Sequence, residues 1–64
     1  MFDTLIQYGS VIKSTELENE ITYKITHSGK VFSLSYFFTD DGWEYEITDA
    51  FDNVLDNGQY ARIA

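Results

Sequence analysis

Three segments in the middle of the chain alternate apolar and polar residues with a period of two. They are EITYKITH, KVFSLSYFF and WEYEIT. Successive side chains of a β-strand point to opposite faces of the sheet, so this alternation indicates three strands that each bury one face. The pairs Ser28-Gly29 and Asp41-Gly42 separate the segments, and both suit the two-residue loop of a β-hairpin. The sequence therefore predicts a three-stranded antiparallel meander over about residues 20–49.

The two loops also determine which residues should face each other across the strands. Across the Ser28-Gly29 loop every facing pair is apolar: Ile25 with Phe32, Tyr23 with Leu34 and Ile21 with Tyr36. Across the Asp41-Gly42 loop the facing pairs are Phe38 with Tyr45 and Tyr36 with Ile47. A slip by one residue would turn every side chain to the other face, so this agreement between loops and alternation supports the meander.

The two ends of the chain are each compatible with more than one structure. Residues 3–9 can form a short helix with Asp3 as its N-cap and Gly9 at its end. They can also form a strand, with SVIKST as a second strand or as its continuation into the sheet. Residues 50–63 can form a helix capped by Asp49, or a hairpin that turns at the sequence NG. Because these ends must cover the apolar face of the meander, the expected fold class is mainly β to α+β.

Aromatic residues have to supply much of the core of so small a domain. A chain of 64 residues forms one domain, residues 1–64, and buries only about 60% of the surface that its unfolded chain exposes. It has no cysteine, which excludes disulfides, thiolate zinc sites and thiol catalysis. Phe, Tyr and Trp make up 17% of the chain. The alternation predicts a main core that includes Tyr36, Trp43, Tyr45 and Ile47.

Charge is strongly biased towards acid and is unevenly distributed. The chain carries 11 acidic and 4 basic residues, a net charge of −7, and the second half contains only one base, Arg62. Binding to nucleic acid or to an anionic membrane is not expected, because both interactions depend on Lys and Arg. A basic protein surface is the expected partner.

The N-terminus and the composition bear on where the protein acts. The start MFDTLIQYGS lacks the basic and continuous apolar regions of a secretory signal. No apolar run approaches the roughly 20 residues that a membrane span needs. Together with the absence of cysteine, these features predict a cytoplasmic location.

Residues that could perform chemistry are few. His27 is the only histidine and has no serine or cysteine motif beside it, so we expect it to flank the Ser28-Gly29 turn. The acidic segment from Asp49 to Asp56 offers oxygen ligands, but its spacing does not match a calcium-binding loop. The sequence therefore predicts no catalytic site, no cofactor, no metal site and no enzyme activity.

The polar side of the predicted sheet carries one aromatic residue, Phe37. The predicted registers place it between Glu20 and Glu46, and Glu44 lies on the same side as Glu46, about 6.5 Å along the strand. An aromatic residue surrounded by polar ones is typical of a binding patch. The alternative is that a terminal helix covers this side, making Phe37 part of a second core. The predicted partner-binding residues are Glu20, Phe37, Glu44, Glu46, Asp49, Asp52 and Asp56.

These features predict a protein that acts by binding. The expected function is that of a small acidic inhibitor or regulator, which docks on a basic surface of a nucleic-acid-processing protein by mimicking nucleic-acid charge. In size and charge the chain is similar to small acidic inhibitors encoded by phages and mobile elements, a likeness that no motif carries. The alternative is a structural or assembly module that forms a homodimer or larger homo-oligomer through its aromatic face or an edge strand.

Overall fold

The computed structural model describes residues 1–40 and 42–60, and of Tyr60 it describes the backbone. These residues form one helix followed by a five-stranded antiparallel sheet. The helix, α1, spans Phe2–Tyr8. The strands are β1 (Ser10–Leu17), β2 (Glu20–His27), β3 (Lys30–Thr39), β4 (Gly42–Thr48) and β5 (Val54–Tyr60). Each strand pairs with its neighbours in sequence, in the order β1-β2-β3-β4-β5.

The three predicted strands are present as β2, β3 and β4, but the sheet has five strands rather than three. The hairpin between β2 and β3 has the predicted register, with Ile25 facing Phe32. Its two loop residues, Ser28 and Gly29, have φ values of 53° and 75°. A type I′ turn needs positive φ at both central positions, and it matches the twist of the strands that it joins. The loop predicted from the sequence is therefore the loop that forms.

The hairpin between β3 and β4 has a register two residues away from the predicted one. Phe38 faces Trp43 instead of Tyr45, and Tyr36 faces Tyr45 instead of Ile47. A shift of two residues keeps every side chain on its predicted face, because side chains alternate with a period of two. The alternation therefore predicts the faces correctly, whereas the predicted position of the loop is wrong.

Gly42 belongs to β4 and not to the loop. It pairs with Thr39, whose Oγ1 donates a hydrogen bond to the carbonyl oxygen of Gly42 at 3.1 Å. The other member of the predicted loop, Asp41, lies outside the described residues. Gly42 has a φ of 114°, which side chains disfavour, although a Cβ at this position would meet no atom within 4 Å. Glycine is thus required here by backbone conformation alone.

We expect Gly42→Val to lower the free energy of unfolding by about 1 to 2 kcal/mol, because valine is strained at positive φ. Gly42→Asn is the matched control, since asparagine tolerates positive φ better than other side chains and should cost less. Urea unfolding followed by circular dichroism measures both. Equal midpoints for Gly42→Val and the parent would contradict the conformation of Gly42.

The N-terminal helix is confirmed, with a different start. Met1 is the N-cap and makes no side-chain capping bond, so Asp3 is not the cap; it lies in the first turn, where a negative charge is favourable near the helix N-terminus. The helix ends at Gly9, whose N–H donates to the Leu5 carbonyl oxygen at 3.0 Å. Gly9 lies so close to β2 that a Cβ would collide with the Cγ2 atom of Ile25. The helix end is therefore seated directly on the sheet.

The segments on either side of the meander form its two outer strands. The SVIKST segment is part of β1, whereas residues 3–8, which the same alternative placed in a strand, belong to α1. Neither alternative for residues 50–63 forms in the described part of that segment, because Asn57 and Gly58 lie inside β5, facing Glu46 and Tyr45. The backbone of β4 needs a hydrogen-bonding partner, and β5 supplies it. Residues 61–63 lie outside the described residues.

The core lies between α1 and one face of the sheet. Its buried members are Leu5, Ile25, Phe32, Leu34 and Ile47. Phe2 anchors the start of the helix, with its ring centroid 4.5 Å from that of Tyr45 and 6.1 Å from that of Tyr36. Of the predicted core residues, Ile47 is buried and Tyr36, Trp43 and Tyr45 are half-buried. No described element covers the opposite face, so the alternative of a second core around Phe37 is not realised in this part of the chain.

Candidate functional site

The sheet face opposite α1 carries a row of side chains, here called the Phe37 row, that crosses all five strands. Phe37 faces Glu20 on β2 and Glu44 on β4. The row continues to Leu17 on β1 and Gln59 on β5. Directly facing residues of an antiparallel pair have Cβ atoms about 4.5 to 5.5 Å apart. Phe37 is therefore flanked on both sides by carboxylates on neighbouring strands.

The neighbour of Phe37 on β4 differs from the predicted one. The sequence placed Glu46 beside it, but the shifted register gives that position to Glu44. Glu46 lies in the next row, where it faces Ser35 on β3 and Asn57 on β5. Both glutamates keep their predicted face, because the register shift is even. Glu44 and Glu46 therefore lie on the same face of β4, with Glu44 beside Phe37 and Glu46 one row away from it.

Hydroxyl side chains occupy the row beside the Phe37 row. The Oγ1 atom of Thr22 lies 3.3 Å from the Oγ atom of Ser35 and donates a hydrogen bond to Oε1 of Glu20 at 3.4 Å. One row further, Lys13 faces Lys24 across β1 and β2. The face is therefore polarised, with carboxylates towards the β1–β2 and β3–β4 turns and two lysines nearer its middle.

The exposure of these side chains suits contact with a partner. Phe37 is half-buried. Glu20 is exposed, while Glu44 and Glu46 are half-buried. Leu17, at the end of the row, is 61% exposed. We refer to Glu20, Phe37, Glu44 and Glu46 as the acidic face.

The predicted residue Asp49 organises the turn between β4 and β5. Its Oδ1 accepts hydrogen bonds from the backbone N–H of Phe51 at 2.8 Å and of Asn53 at 3.0 Å, and its Oδ2 accepts one from Nδ2 of Asn53 at 3.0 Å. These bonds, chiefly those from Asn53, lower the pKa of Asp49 below its ordinary value. Asp52 is exposed in the same turn at a φ of 65°. Both oxygens of the Asp49 carboxylate therefore accept hydrogen bonds from within the turn.

Asp56 lies on the other face of the sheet, beside the helix. It faces Ile47 on β4, and its Oδ2 is 3.8 Å from the amino group of Met1. Burial raises the pKa of Tyr45, and the charge of Asp56 together with a hydrogen bond to its carboxylate raises it further. The structure thus brings four of the seven predicted residues onto one face and places Asp49, Asp52 and Asp56 elsewhere.

Leu17 and Gln59 are members of the Phe37 row that the sequence did not reveal. Their positions depend on the registers of β1 and β5, and both strands contain or adjoin an irregularity in pairing. A bulge changes the face of every residue beyond it, so alternation within a single strand is not sufficient to place them. No local signal in the sequence marks either residue as a neighbour of Phe37.

The single histidine and the acidic residues are the other candidates for a site in residues 1–40 and 42–60. His27 is half-buried and faces Lys30 next to the Ser28-Gly29 turn, as expected. Within this part of the chain no group of three or more His, Cys, Asp or Glu side chains is arranged to hold a metal ion. No helix that the structure describes is long and apolar enough to cross a membrane.

The acidic face is built on the central strands of the sheet. Its parts come from β2, β3 and β4, the strands that the sequence predicted. A comparison with protein-family models, with curated proteins and with solved structures finds no significant match to this chain.

Proposed function

We propose that the protein binds a basic surface of another protein through its acidic face. The observation that carries the proposal is the Phe37 row, in which a half-buried aromatic residue lies between Glu20 and Glu44 on a sheet face that no described element covers. Aromatic residues are enriched among the side chains that dominate binding energy, and surrounding polar groups form the rim of such patches. Phe37 is therefore the anchor and the glutamates are the rim.

The spacing of the carboxylates supports a particular class of target. Glu44 and Glu46 project from one strand about 6.5 Å apart, and Glu20 lies two strands away from Glu44, about 10 Å across the sheet. Surfaces that bind nucleic acid present Lys and Arg towards successive phosphates, which are spaced comparably. A rigid array of carboxylates can occupy such a surface and exclude its natural ligand. The protein would then act as an inhibitor or regulator of a nucleic-acid-processing protein in the cytoplasm.

The net charge of −7 also supports binding to a basic partner. Charge of one sign attracts an oppositely charged partner over a distance of about one Debye length, close to 10 Å at 0.1 M salt. It increases the rate of association more than it increases the lifetime of the complex. The aromatic anchor, in contrast, contributes contacts that must be broken for the complex to dissociate. The two parts of the acidic face should therefore have separable kinetic effects.

We expect Phe37→Ala to raise the dissociation rate, and the double change Glu44→Lys with Glu46→Lys to slow association and flatten its salt dependence. Glu18→Lys with Asp52→Lys is the matched control, since it changes the net charge equally at exposed turn positions. Surface-binding kinetics at several salt concentrations measure all three, against a partner recovered from lysate at low salt and eluted by raising it. Parental kinetics in both test variants would contradict the proposal. Slow association in the control alone would place the partner-binding surface at the turns and not on the acidic face.

A second candidate function is assembly through β1. All eight residues of this edge strand are exposed, and its charged residues, Lys13 and Glu16, cancel. An exposed edge strand offers backbone groups with which another strand can pair, including the β1 strand of a second copy. Salt separates the two functions, because binding through carboxylates weakens as ionic strength rises and backbone pairing does not. Sedimentation at increasing protein concentration, in low and high salt, tests whether a salt-resistant homodimer forms.

A further inference from the structure

One short helix is too small to cover the apolar face of this sheet. The helix α1 has seven residues, so it is about 10 Å long and about 10 Å wide. The sheet has five strands of at least seven residues, so its face measures about 19 Å across the strands and at least about 23 Å along them. The helix thus covers about a quarter of the face, and a space of about one helix width remains beside it.

That space is an apolar groove with aromatic walls. Its volume is about 380 Å³, within the range of roughly 300 to 1,000 Å³ that is typical of binding sites. The groove is lined by side chains from α1, β1, β2, β3 and β4, among them Ile6, Val11, Ile21, Tyr23, Tyr36 and Trp43. Ile6 and Val11 on its rims are 55% and 58% exposed. Apolar side chains on both rims are therefore accessible to a partner.

Acidic side chains lie on two sides of the groove, one on β1 and one on α1. Glu16 on β1 faces Ile21 and so lies beside the groove floor. Asp3 precedes Ile6 by three residues on α1, which places both on the same side of the helix. Lys13 and Lys24 lie on the opposite face, and of the described lysines only Lys30 shares the groove's side of the sheet, next to the β2–β3 turn. An occupant that is apolar in the middle and basic at its edges matches this arrangement.

We infer that the groove binds an amphipathic helix of a partner protein, with an apolar stripe flanked by Lys or Arg. A helix fits the remaining width and would complete the layer that α1 begins, because helices pack on one face of an antiparallel sheet in α+β domains. At this groove a second copy of this chain and an anionic amphiphile are both disfavoured, because each would bring further negative charge to Asp3 and Glu16. The groove lies on the face opposite the acidic face, so either site can exist without the other.

The single tryptophan provides a direct signal, because Trp43 lines the groove. The probe is a synthetic helix of about 18 residues with leucines at spacings of three and four and lysines beside them, long enough to be helical in isolation. One control peptide has the same composition in an order without an apolar stripe, and another has glutamate in place of lysine. We expect only the first peptide to produce a saturable change in Trp43 emission.

A pair of variants locates the binding. We expect Ile6→Lys to weaken binding of the probe at least tenfold, because it removes an apolar contact on the groove rim and repels the cationic peptide. Phe51→Lys is the matched control, since Phe51 is 85% exposed in the turn between β4 and β5, and it should bind as the parent does. Circular dichroism and backbone amide spectra establish that each variant is folded.

Several results would overturn the inference. They are the absence of a saturable signal up to about 1 mM probe, equal binding of the glutamate peptide, and parental affinity in a folded Ile6→Lys protein. Amide shifts confined to the acidic face would also overturn it, and that result would support the proposed function instead. Shifts confined to the groove support the inference and leave the proposed function to be tested with its own partner.

Discussion

Replacing Leu34 by alanine is expected to remove most of the stability of the protein. Leu34 has no exposed surface and lies on the central strand, where it faces Tyr23 and Ile47. A buried Leu→Ala change costs about 2 to 5 kcal/mol, because it loses apolar burial and leaves a cavity. A domain of 64 residues has a free energy of unfolding of about 3 to 10 kcal/mol. The variant should therefore unfold at a much lower urea concentration than the parent.

The matched control is Leu17→Ala, the same chemical change at a position that is 61% exposed on the edge strand β1. It should change the free energy of unfolding by less than about 0.5 kcal/mol, as is usual for surface substitutions. Urea titrations followed by far-UV circular dichroism give both values. Similar midpoints for Leu34→Ala and Leu17→Ala would show that the core does not lie between α1 and the centre of the sheet.

The second large effect on stability is expected for Gly9→Ala. Two physical arguments predict opposite signs for the change in its free energy of unfolding. The backbone of Gly9 has φ −77° and ψ 155°, a conformation that alanine adopts freely. On that ground alone, Gly9→Ala should stabilise the protein by about 0.4 to 1 kcal/mol through the entropy of the unfolded chain. The structure predicts the opposite, because a Cβ would collide with Ile25 and lie 2.6 Å from the carbonyl oxygen of Leu5. We expect a loss of about 3 kcal/mol, the upper part of the range for overpacking.

Relief of the collision with Ile25 would move the end of α1 away from β2, which would expose Leu5. Ser10→Ala is the matched control, because Ser10 is the next residue and is exposed. Urea unfolding gives the change in stability, and the exchange rate of the Leu5 and Gly9 amides reports whether α1 detaches. A Gly9→Ala protein that is more stable than the parent would show that the helix is not seated on β2 as described.

The meander could be predicted because its determinants are local. The alternation of EITYKITH and KVFSLSYFF selects the faces, and Gly29 readily adopts the positive φ that the second loop position of a type I′ turn requires. The loop between β3 and β4 offered two acidic residues beside Gly42, so several loop positions were compatible with the same alternation. An even shift leaves every apolar residue on the core face, and hydrophobicity therefore did not discriminate between the two registers.

The ends of the chain illustrate the limit of local signals. Asn57-Gly58 is the strongest short hairpin signal in a sequence, yet it lies within β5. A Cβ at Gly58 would be 3.0 Å from the Tyr45 ring, so glycine is needed there to admit that ring. The requirement for glycine comes from a residue on another strand, so the dipeptide sequence does not indicate it. The same is true of Gly9, whose close neighbour is Ile25 on β2.

The candidate site likewise has some features that the sequence predicts and others that only the tertiary structure decides. Alternation alone placed Glu20, Phe37, Glu44 and Glu46 on one face, because each belongs to a strand with a clear period of two. Which glutamate lies beside Phe37, and which residues extend its row, were decided by pairing between strands. The groove beside α1 depends on the position of the helix, which is set by packing of Phe2, Leu5 and Gly9 against the sheet. The sequence thus determined faces, since the direction of a side chain follows from its own strand, and only the tertiary structure decided neighbours, since these depend on contacts between residues far apart in the chain.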